Sequence, residues 1–398
     1  MTQPVSEQHE PGSTGHEHTV PGESASRHPA LTPSLKFWMK LAGWLAVLGG
    51  LIYVVLIPVV AEFVLSLQGG GADPSERLSV SSAILLRLME LIMSSWFFVL
   101  GAAIGSFLNV VVYRTPRGIS LTHERSRCPD CLTPIRSSDN IPVVGWLRLG
   151  GLCRSCHAPV SARYPLVEML VGLIFLLLYF SELISGGANL PFRPVNAYRG
   201  IVWVIFYTKW DLVMFYAFHC CTISCLLTWG LIAFDKQTLP WRAFLICVAI
   251  AMIASFDQFW LLPVPVSVPF AMPAEFPTQY SGITSSLVGL IVGGCTGILV
   301  NRVVQVQQTS GHESDEGAGL RIPSLVGSFI LCGTVFGWQF VLVCALLTIA
   351  VYWCMDLSGR IERTLRSRLT SLTFACVVTI HLVCWRLILW PLHSGQGF

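Results

Sequence analysis

Two Cys-x-x-Cys pairs, Cys128/Cys131 and Cys153/Cys156, stand in a polar, arginine-rich stretch between two long apolar runs. A Cys-x-x-Cys turn offers two thiolates to one metal ion, and two such turns supply the four that a closed tetrahedral Zn2+ site takes. The separation of the two pairs lies close to the spacing of four-cysteine zinc sites. Unmetallated thiols or a redox pair are the competing readings. A loop this small and polar has little core of its own, however, and a bound metal would staple it. Four thiolates fill the coordination shell and leave no open position for water, so the expected role is structural.

Carboxylates within or beside apolar runs are the second source of chemistry, because they are costly in lipid. The candidates singled out are Glu168, Asp211, Asp235, Asp257 and Asp356. Asp235 closes the run Leu231-Ile-Ala-Phe234, and Pro240 follows at a distance that would end a helix. A carboxylate held near lipid suits proton transfer. Taken alone, an acid reaching for the interface beside Lys236 explains it more simply. His219 and His381 lie inside apolar runs and are expected to be hydrogen-bonded packing residues. Cys220, Cys221 and Cys225, although next to His219, are expected to be core. The tail histidines His9, His16, His18 and His28 have nothing to pre-organise them as ligands.

The elements that must position these groups are membrane helices. Of the 398 residues, 53% are hydrophobic and only 12% charged, about half the charged share of a soluble domain. A net charge of +3 is too small to suggest a nucleic-acid partner. Apolar runs at 41–67, 88–112, 165–185, 208–233, 243–262 and 284–304 are each long enough to cross a ~30 Å hydrocarbon core. The run 324–356 is too long for one helix and predicts two, broken around Gly333 and Gly337; a last span covers 371–391. The expectation is an all-α polytopic protein of eight or nine crossings with one small four-cysteine module, while 199–208 is interfacial. Residues 1–35 are polar, lack the basic start and apolar core of a cleavable signal peptide, and read as a disordered cytoplasmic tail.

Arginine placement predicts orientation. Arg114, Arg117, Arg125, Arg127, Arg136, Arg148, Arg154 and Arg163 crowd the cysteine loop against Glu124, Asp130 and Asp139, which places that loop in the cytoplasm. Alternation then puts 235–242, 305–323 and the stretch bearing Arg360, Arg363, Arg366 and Arg368 on the same side. The segments 68–87 and 263–283 fall outside. In a reducing cytoplasm the four loop cysteines are thiols. The implied division is a tail at 1–35, an extra span and external loop at 36–87, and an N-terminal region at 88–185 containing the module 114–163. A membrane domain at 199–356 and a C-terminal segment at 357–398 complete it.

Four features in order identify a resemblance. Gly105-Ser-Phe-Leu-Asn-Val-Val-Val-Tyr-Arg114, the paired cysteines, Asn140-Ile-Pro-Val-Val-Gly-Trp-Leu147 between them and Ser161-Ala-Arg-Tyr-Pro-Leu-Val-Glu168 after them resemble the N-terminal region of bacterial type IV prepilin leader peptidases. The resemblance is close over roughly 90–175 and looser elsewhere. It implies a multi-pass protein of the bacterial inner membrane that cleaves the leader of prepilins or pseudopilins at the cytoplasmic face. Methylation of the new amino terminus with S-adenosylmethionine is implied by the resemblance alone. The family's chemistry uses two aspartates, one ionised to activate water and one protonated to polarise the scissile carbonyl. Asp235-Lys-Gln-Thr-Leu-Pro240 resembles its first aspartate motif.

The second motif, Gly-x-Gly-Asp, has no acid here. Alignment on Gly337-Trp-Gln339 puts Leu325 at the aspartate position, and alignment on Gly327 puts Gly319 there. The nearest acids are Glu313, Asp315 and Glu316 in a polar loop, which leaves Asp315 as the partner to test against a plain solvated charge run. Two readings stand: an aspartic endopeptidase that pairs Asp235 with an unassigned acid, or an inactive zinc-containing scaffold that docks prepilin or other proteins of a pilus or type II secretion assembly.

Overall fold

A computed structural model describes residues 33–67, 79–121, 126–190, 199–257, 278–305 and 321–385. The polar tail before residue 33 and the acids Glu313, Asp315 and Glu316 lie outside the described residues. Helix α1 (Pro33–Leu51) runs through a π turn (Ile52–Leu56) into α2 (Ile57–Leu67), forming one rod. Then come α3 (Val80–Arg114), the short α4 (Val144–Leu149) inside the cysteine loop, and α5 (Arg163–Leu178), which is prolonged by a π turn (Tyr179–Ile184). The short α6 (Ile201–Phe206) precedes α7 (Trp210–Phe234), α8 (Trp241–Asp257), α9 (Thr278–Gln305), α10 (Ser324–Phe336), α11 (Trp338–Leu357) and α12 (Arg363–Val383). Among the described residues the only strands form a two-residue ribbon, in which β1 (Leu239–Pro240) pairs antiparallel with β2 (Arg321–Ile322).

Among the described residues six helices are long and apolar enough to cross a bilayer. Three others are further rods of the bundle. Helix α8 is short, α10 has 13 residues, about 20 Å of rise, and α12 opens with Arg363, Arg366 and Arg368. Large apolar side chains such as Trp44, Ile92, Trp96, Ile253, Leu299 and Leu346 stay exposed on these rods, as lipid-facing side chains do. The protein is a multi-pass membrane protein.

The break in 324–356 falls at Gly337, whose φ of 87° is open to glycine. The chain turns back there. Phe329 of α10 stacks on Phe374 with ring centroids 4.1 Å apart, and Phe336 and Phe340 both pack against Trp385. At the other end of α11, Asp356 pairs with Arg366. Helix α10 therefore climbs away from the end that holds the start of α12, and α11 returns to it. Helices α9 and α10 are antiparallel and in backbone contact: a Cβ built on Gly289 would lie 1.9 Å from the Gly333 carbonyl, and Gly293 and Gly297 repeat the approach one turn apart. Small residues at four-residue spacing allow this close packing in lipid.

The same pairings collect one end of the bundle. It holds the end of α3, the cysteine loop, the start of α5, the end of α7, the ribbon, and the junction of α11 with α12. The core runs through α5, α7, α10, α11 and α12, with Leu178, Tyr179, Leu226, Phe329, Phe336, Phe340 and Phe374 almost fully enclosed.

Candidate functional site: a four-cysteine module set against the aspartate helix

The cysteine module consists of two copies of one turn. In the first, the Cys128 N–H donates to the Thr133 carbonyl, the Leu132 N–H donates to the Cys128 carbonyl, and Leu132 has φ 56°. In the second, the Cys153 N–H donates to the Ala158 carbonyl, the His157 N–H donates to the Cys153 carbonyl, and His157 has φ 57°. Each turn is closed by an isolated bridge, Arg127 with Pro134 and Leu152 with Pro159. The left-handed residue after the second cysteine swings both thiols of a turn to one side.

The turns face each other. Cys128 Sγ is 3.8 Å from Cys156 Sγ, Cys131 Sγ is 4.0 Å from Cys153 Sγ, and all four lie within 4.8 Å of one another. Four ligands at ~2.3 Å on a tetrahedron stand about 3.8 Å apart, whereas a disulfide needs ~2.05 Å. The spacing therefore fits one tetrahedral metal ion. The thiols are also prepared unequally. The Thr133 hydroxyl holds Cys131 down to about 6, backbone N–H groups at Cys156 and Ser155 lower Cys153, and burial pushes Cys128 up. Among the described residues no other group of three or more His, Cys, Asp or Glu could hold a metal ion. Cys225 meets Cys247 at 3.8 Å across α7 and α8, which is the packing role expected of it.

The family-like segments are the joinery of this module. Gly105 of α3 leaves room for α5, since a Cβ there would stand 2.8 Å from Glu168 Cα. Asn109 Nδ2 donates to the Tyr164 carbonyl at 3.2 Å. Trp146 Nε1 donates to the Val160 carbonyl at 2.9 Å. The buried Glu168 is a structural acceptor: the Val143 N–H donates to it at 2.6 Å. Val143 itself is held at φ 61°, an outlier for a β-branched residue, at the start of α4. Asp139, one of the few acids of the loop, ties two of its arginines. Arg148 Nη2 donates to Oδ1 at 2.7 Å, and Arg154 donates through Nη2 and Nε at 2.6 and 2.7 Å. Arg154 first, then Arg148, hold its carboxyl well below the usual carboxylate range.

Asp235 sits where the module meets the bundle. Helix α7 ends in a Schellman pair: the Lys236 N–H donates to the Ala233 carbonyl and the Gln237 N–H to the Ile232 carbonyl, with Lys236 at φ 56°. This makes Asp235 the C-cap of the helix. Its carboxylate, which taken alone would reach for the interface beside Lys236, is gripped by Arg163 at the start of α5. Nη1 lies 2.5 Å from Oδ1 and Nη2 lies 2.9 Å from Oδ2, with both side chains about one-third exposed. Arg163 belongs to the Ser161–Glu168 segment, and its role was hidden by the distance in sequence. Leu325, one of the two positions that the motif alignments offer for a second aspartate, is buried in the core at the start of α10; the other, Gly319, lies outside the described residues. Of the other acids, Asp211 lies in the first turn of α7, Asp257 ends α8, and Asp356 pairs with Arg366.

Two buried groups lie away from this end. His381 is fully enclosed against the edge of Phe340. His219 pairs with Glu182, an acid inside the 165–185 run, whose place in an apolar stretch was the signal for it.

Comparison with known proteins locates the resemblance. Residues 99–181 match the bacterial Peptidase A24 N-terminal domain. Over 80 residues the chain is 51% identical to a prepilin leader peptidase/N-methyltransferase of Myxococcus xanthus, covering 20% of this chain and 24% of that protein. Over 95 residues it is 47% identical to a type 4 prepilin-like proteins leader peptide-processing enzyme of Escherichia coli, covering 19% and 35%. Over 101 residues it is 44% identical to a prepilin leader peptidase/N-methyltransferase of Neisseria gonorrhoeae, covering 19% and 35%. The chain thus matches a quarter to about a third of the length of these relatives, and no solved structure matches it. Residues 99–181 of this membrane protein are a segment of the kind found at the N-terminus of bacterial A24 peptidases, the prepilin leader peptidases.

Proposed function

We propose that this protein processes type IV prepilins or pseudopilins at the cytoplasmic face of a bacterial inner membrane, with Asp235 as one acid of an aspartic endopeptidase. The observation that carries the reading is the contact between the family-like segment and the aspartate helix: Arg163, inside the motif 161–168, grips Asp235 bidentately. A prepilin leader brought to the cysteine module would thereby be delivered to the carboxylate. The four cysteines hold a structural Zn2+, for which their spacing fits. The positive-inside rule favours the cytoplasm for this end, since the loop arginines, Lys236, Arg242 and Arg360–Arg368 all gather there. N-methylation with S-adenosylmethionine rests on the names of the relatives alone.

A second reading has its own observation. Asp235 is paired with a guanidinium rather than a second carboxyl, and the two motif alignments put Leu325 or Gly319, neither of them an acid, where the family carries its other aspartate. On that reading the protein is an inactive member that captures prepilin or components of a pilus or secretion assembly. Cleavage of a model prepilin by the purified protein in detergent separates the two, run beside Asp235→Asn and Asp315→Asn. An active peptidase loses several orders of magnitude in rate on losing either member of its acid pair. Wild-type protein that binds prepilin without cutting it sinks the peptidase and leaves the scaffold.

A further inference from the structure

Helices α5 and α7 run antiparallel and are joined by side-chain pairs near the two ends of α5, with a further hydrogen bond from the Tyr216 hydroxyl to the Phe175 carbonyl. At the cysteine end Arg163 of α5 holds Asp235 of α7. At the far end Glu182, in the π turn that prolongs α5, meets His219 of α7, Oε1 to Nδ1 at 2.7 Å, with both side chains fully enclosed. Along α7 the two joints are sixteen residues apart, about 24 Å. We propose that Glu182 and His219 are positioning residues: they fix the axial register of α7 against α5 and so hold Asp235 within reach of Arg163.

The geometry favours register over plain cohesion. Glu182 Oε2 and His219 Nε2 have no other hydrogen-bond partner, so the pair is closed on itself. A shift of α7 by one residue would strand both groups in an apolar surround of Phe215 and Phe336, whose rings lie 5.9 and 5.3 Å from the imidazole. A buried polar contact is a known way to specify helix register, and the Tyr216 hydroxyl of α7, which donates to the Phe175 carbonyl of α5 at 3.2 Å, supports the same register beside it. The π turn adds a second sign. Its wider winding carries Glu182 round the helix from where a straight α path would leave it, and such turns gather at functional positions. Apolar packing along α7 tolerates small slides, whereas these polar joints do not.

Amide hydrogen exchange on the detergent-solubilised protein tests this without reference to cleavage, so its failure and that of the prepilin reading remain distinct. The reporters are the amides of Asp235, Lys236 and Gln237, which close the end of α7. Glu182→Gln keeps volume and replaces the carboxyl group by an amide. It is expected to speed exchange there by about tenfold, as well as around 179–187 and 215–223. The exchanged pair, Glu182→His with His219→Glu, is expected to restore slow exchange at 235–237. Changes confined to 179–187 and 215–223, or no change at all, overturn the proposal. A charge-exchanged protein that folds with 235–237 still loosened, or that fails to recover a folded protein, overturns it too.

Discussion

The N-terminal region and the helices that follow it are built by different means. In 99–181 single polar groups and single glycines join segments distant in sequence: Gly105 admits Glu168, Asn109 caps Tyr164, Glu168 takes the strained Val143 amide, and Asp139 ties Arg148 and Arg154. From α7 to α12 most hydroxyls instead satisfy their own helix. Thr222, Thr228, Ser328, Thr348, Thr370 and Thr379 each donate to a carbonyl four residues back. There the helices meet mainly through apolar side chains and the glycine seam of α9 and α10, with one buried hydroxyl chain from Ser255 of α8 to Ser286 of α9 to the Thr334 carbonyl of α10. The first design ties residue identity to position, while the second asks mainly for apolar volume. That is why a family resemblance is legible in 99–181 and thins out beyond it.

The metal proposed for the four cysteines is the strongest test of this contrast. Removing it by chelation, or changing Cys128→Ser, deletes binding energy on the order of 10 kcal/mol for a structural site. Residues 126–162 are expected to become open to protease while the helices from α7 onward stay protected, and metal analysis should fall from one ion per chain to none. A bundle that unfolds together with the loop would break the division into two regions. The exception within the second region is the glycine seam. Gly289→Val drives a side chain into the Gly333 carbonyl and is expected to cost at least the ~1–3 kcal/mol of an overpacked core, read as a lowered thermal midpoint in detergent. A midpoint equal to wild type would mean that α9 and α10 do not touch as described.

Much of this was readable from the sequence because it depends on local pattern. Apolar runs place the rods, Gly337 breaks the longest of them, and the spacing of Cys128, Cys131, Cys153 and Cys156 describes a site whose two turns each carry their own geometry. What escaped the sequence depends on pairing. Arg163 and Asp235 are 72 residues apart, and Glu182 and His219 are 37 apart; nothing local to either partner announces the other. The left-handed Val143 is hidden for the same reason, because only the Glu168 carboxylate, twenty-five residues on, makes that conformation tenable.

Within the first region the buried joints rank next. Glu168→Ala leaves the Val143 amide unpaired at a strained φ and is expected to cost ~1–3 kcal/mol, concentrated in the loop and read by protease sensitivity near α4. Asp139 adds a pH dependence. Its folded-state pKa is depressed by Arg154 and Arg148, so its contribution is fully present above the ordinary carboxylate range near ~4 and is lost as the pH falls through the folded value. Trp146 fluorescence followed downward from neutral pH should show loop opening in the wild type. The Asp139→Asn protein, already weakened at neutral pH, should show a flatter acid limb. Metal loss in acid affects both proteins alike, so their difference isolates Asp139.

The smallest effect sharpens the comparison most. Thr348 lies fully buried in α11, and its hydroxyl donates only to the Cys344 carbonyl of its own helix. That carbonyl is a backbone acceptor already placed to take the ordinary i to i+4 helix bond, so losing the hydroxyl strands no partner. Valine matches threonine in shape and adds an apolar methyl where a polar group had been enclosed. Thr348→Val is therefore expected to shift stability by less than ~1 kcal/mol, with either sign allowed. The comparable change at Asn109, to leucine, removes the donor to the Tyr164 carbonyl between α3 and α5 and should cost more, although Asn109 is no more deeply buried. A thermal midpoint that falls as far for Thr348→Val as for Asn109→Leu would mean that the second region also relies on position-specific polar contacts. The resemblance would then stop near residue 181 for some cause other than how the helices are held together.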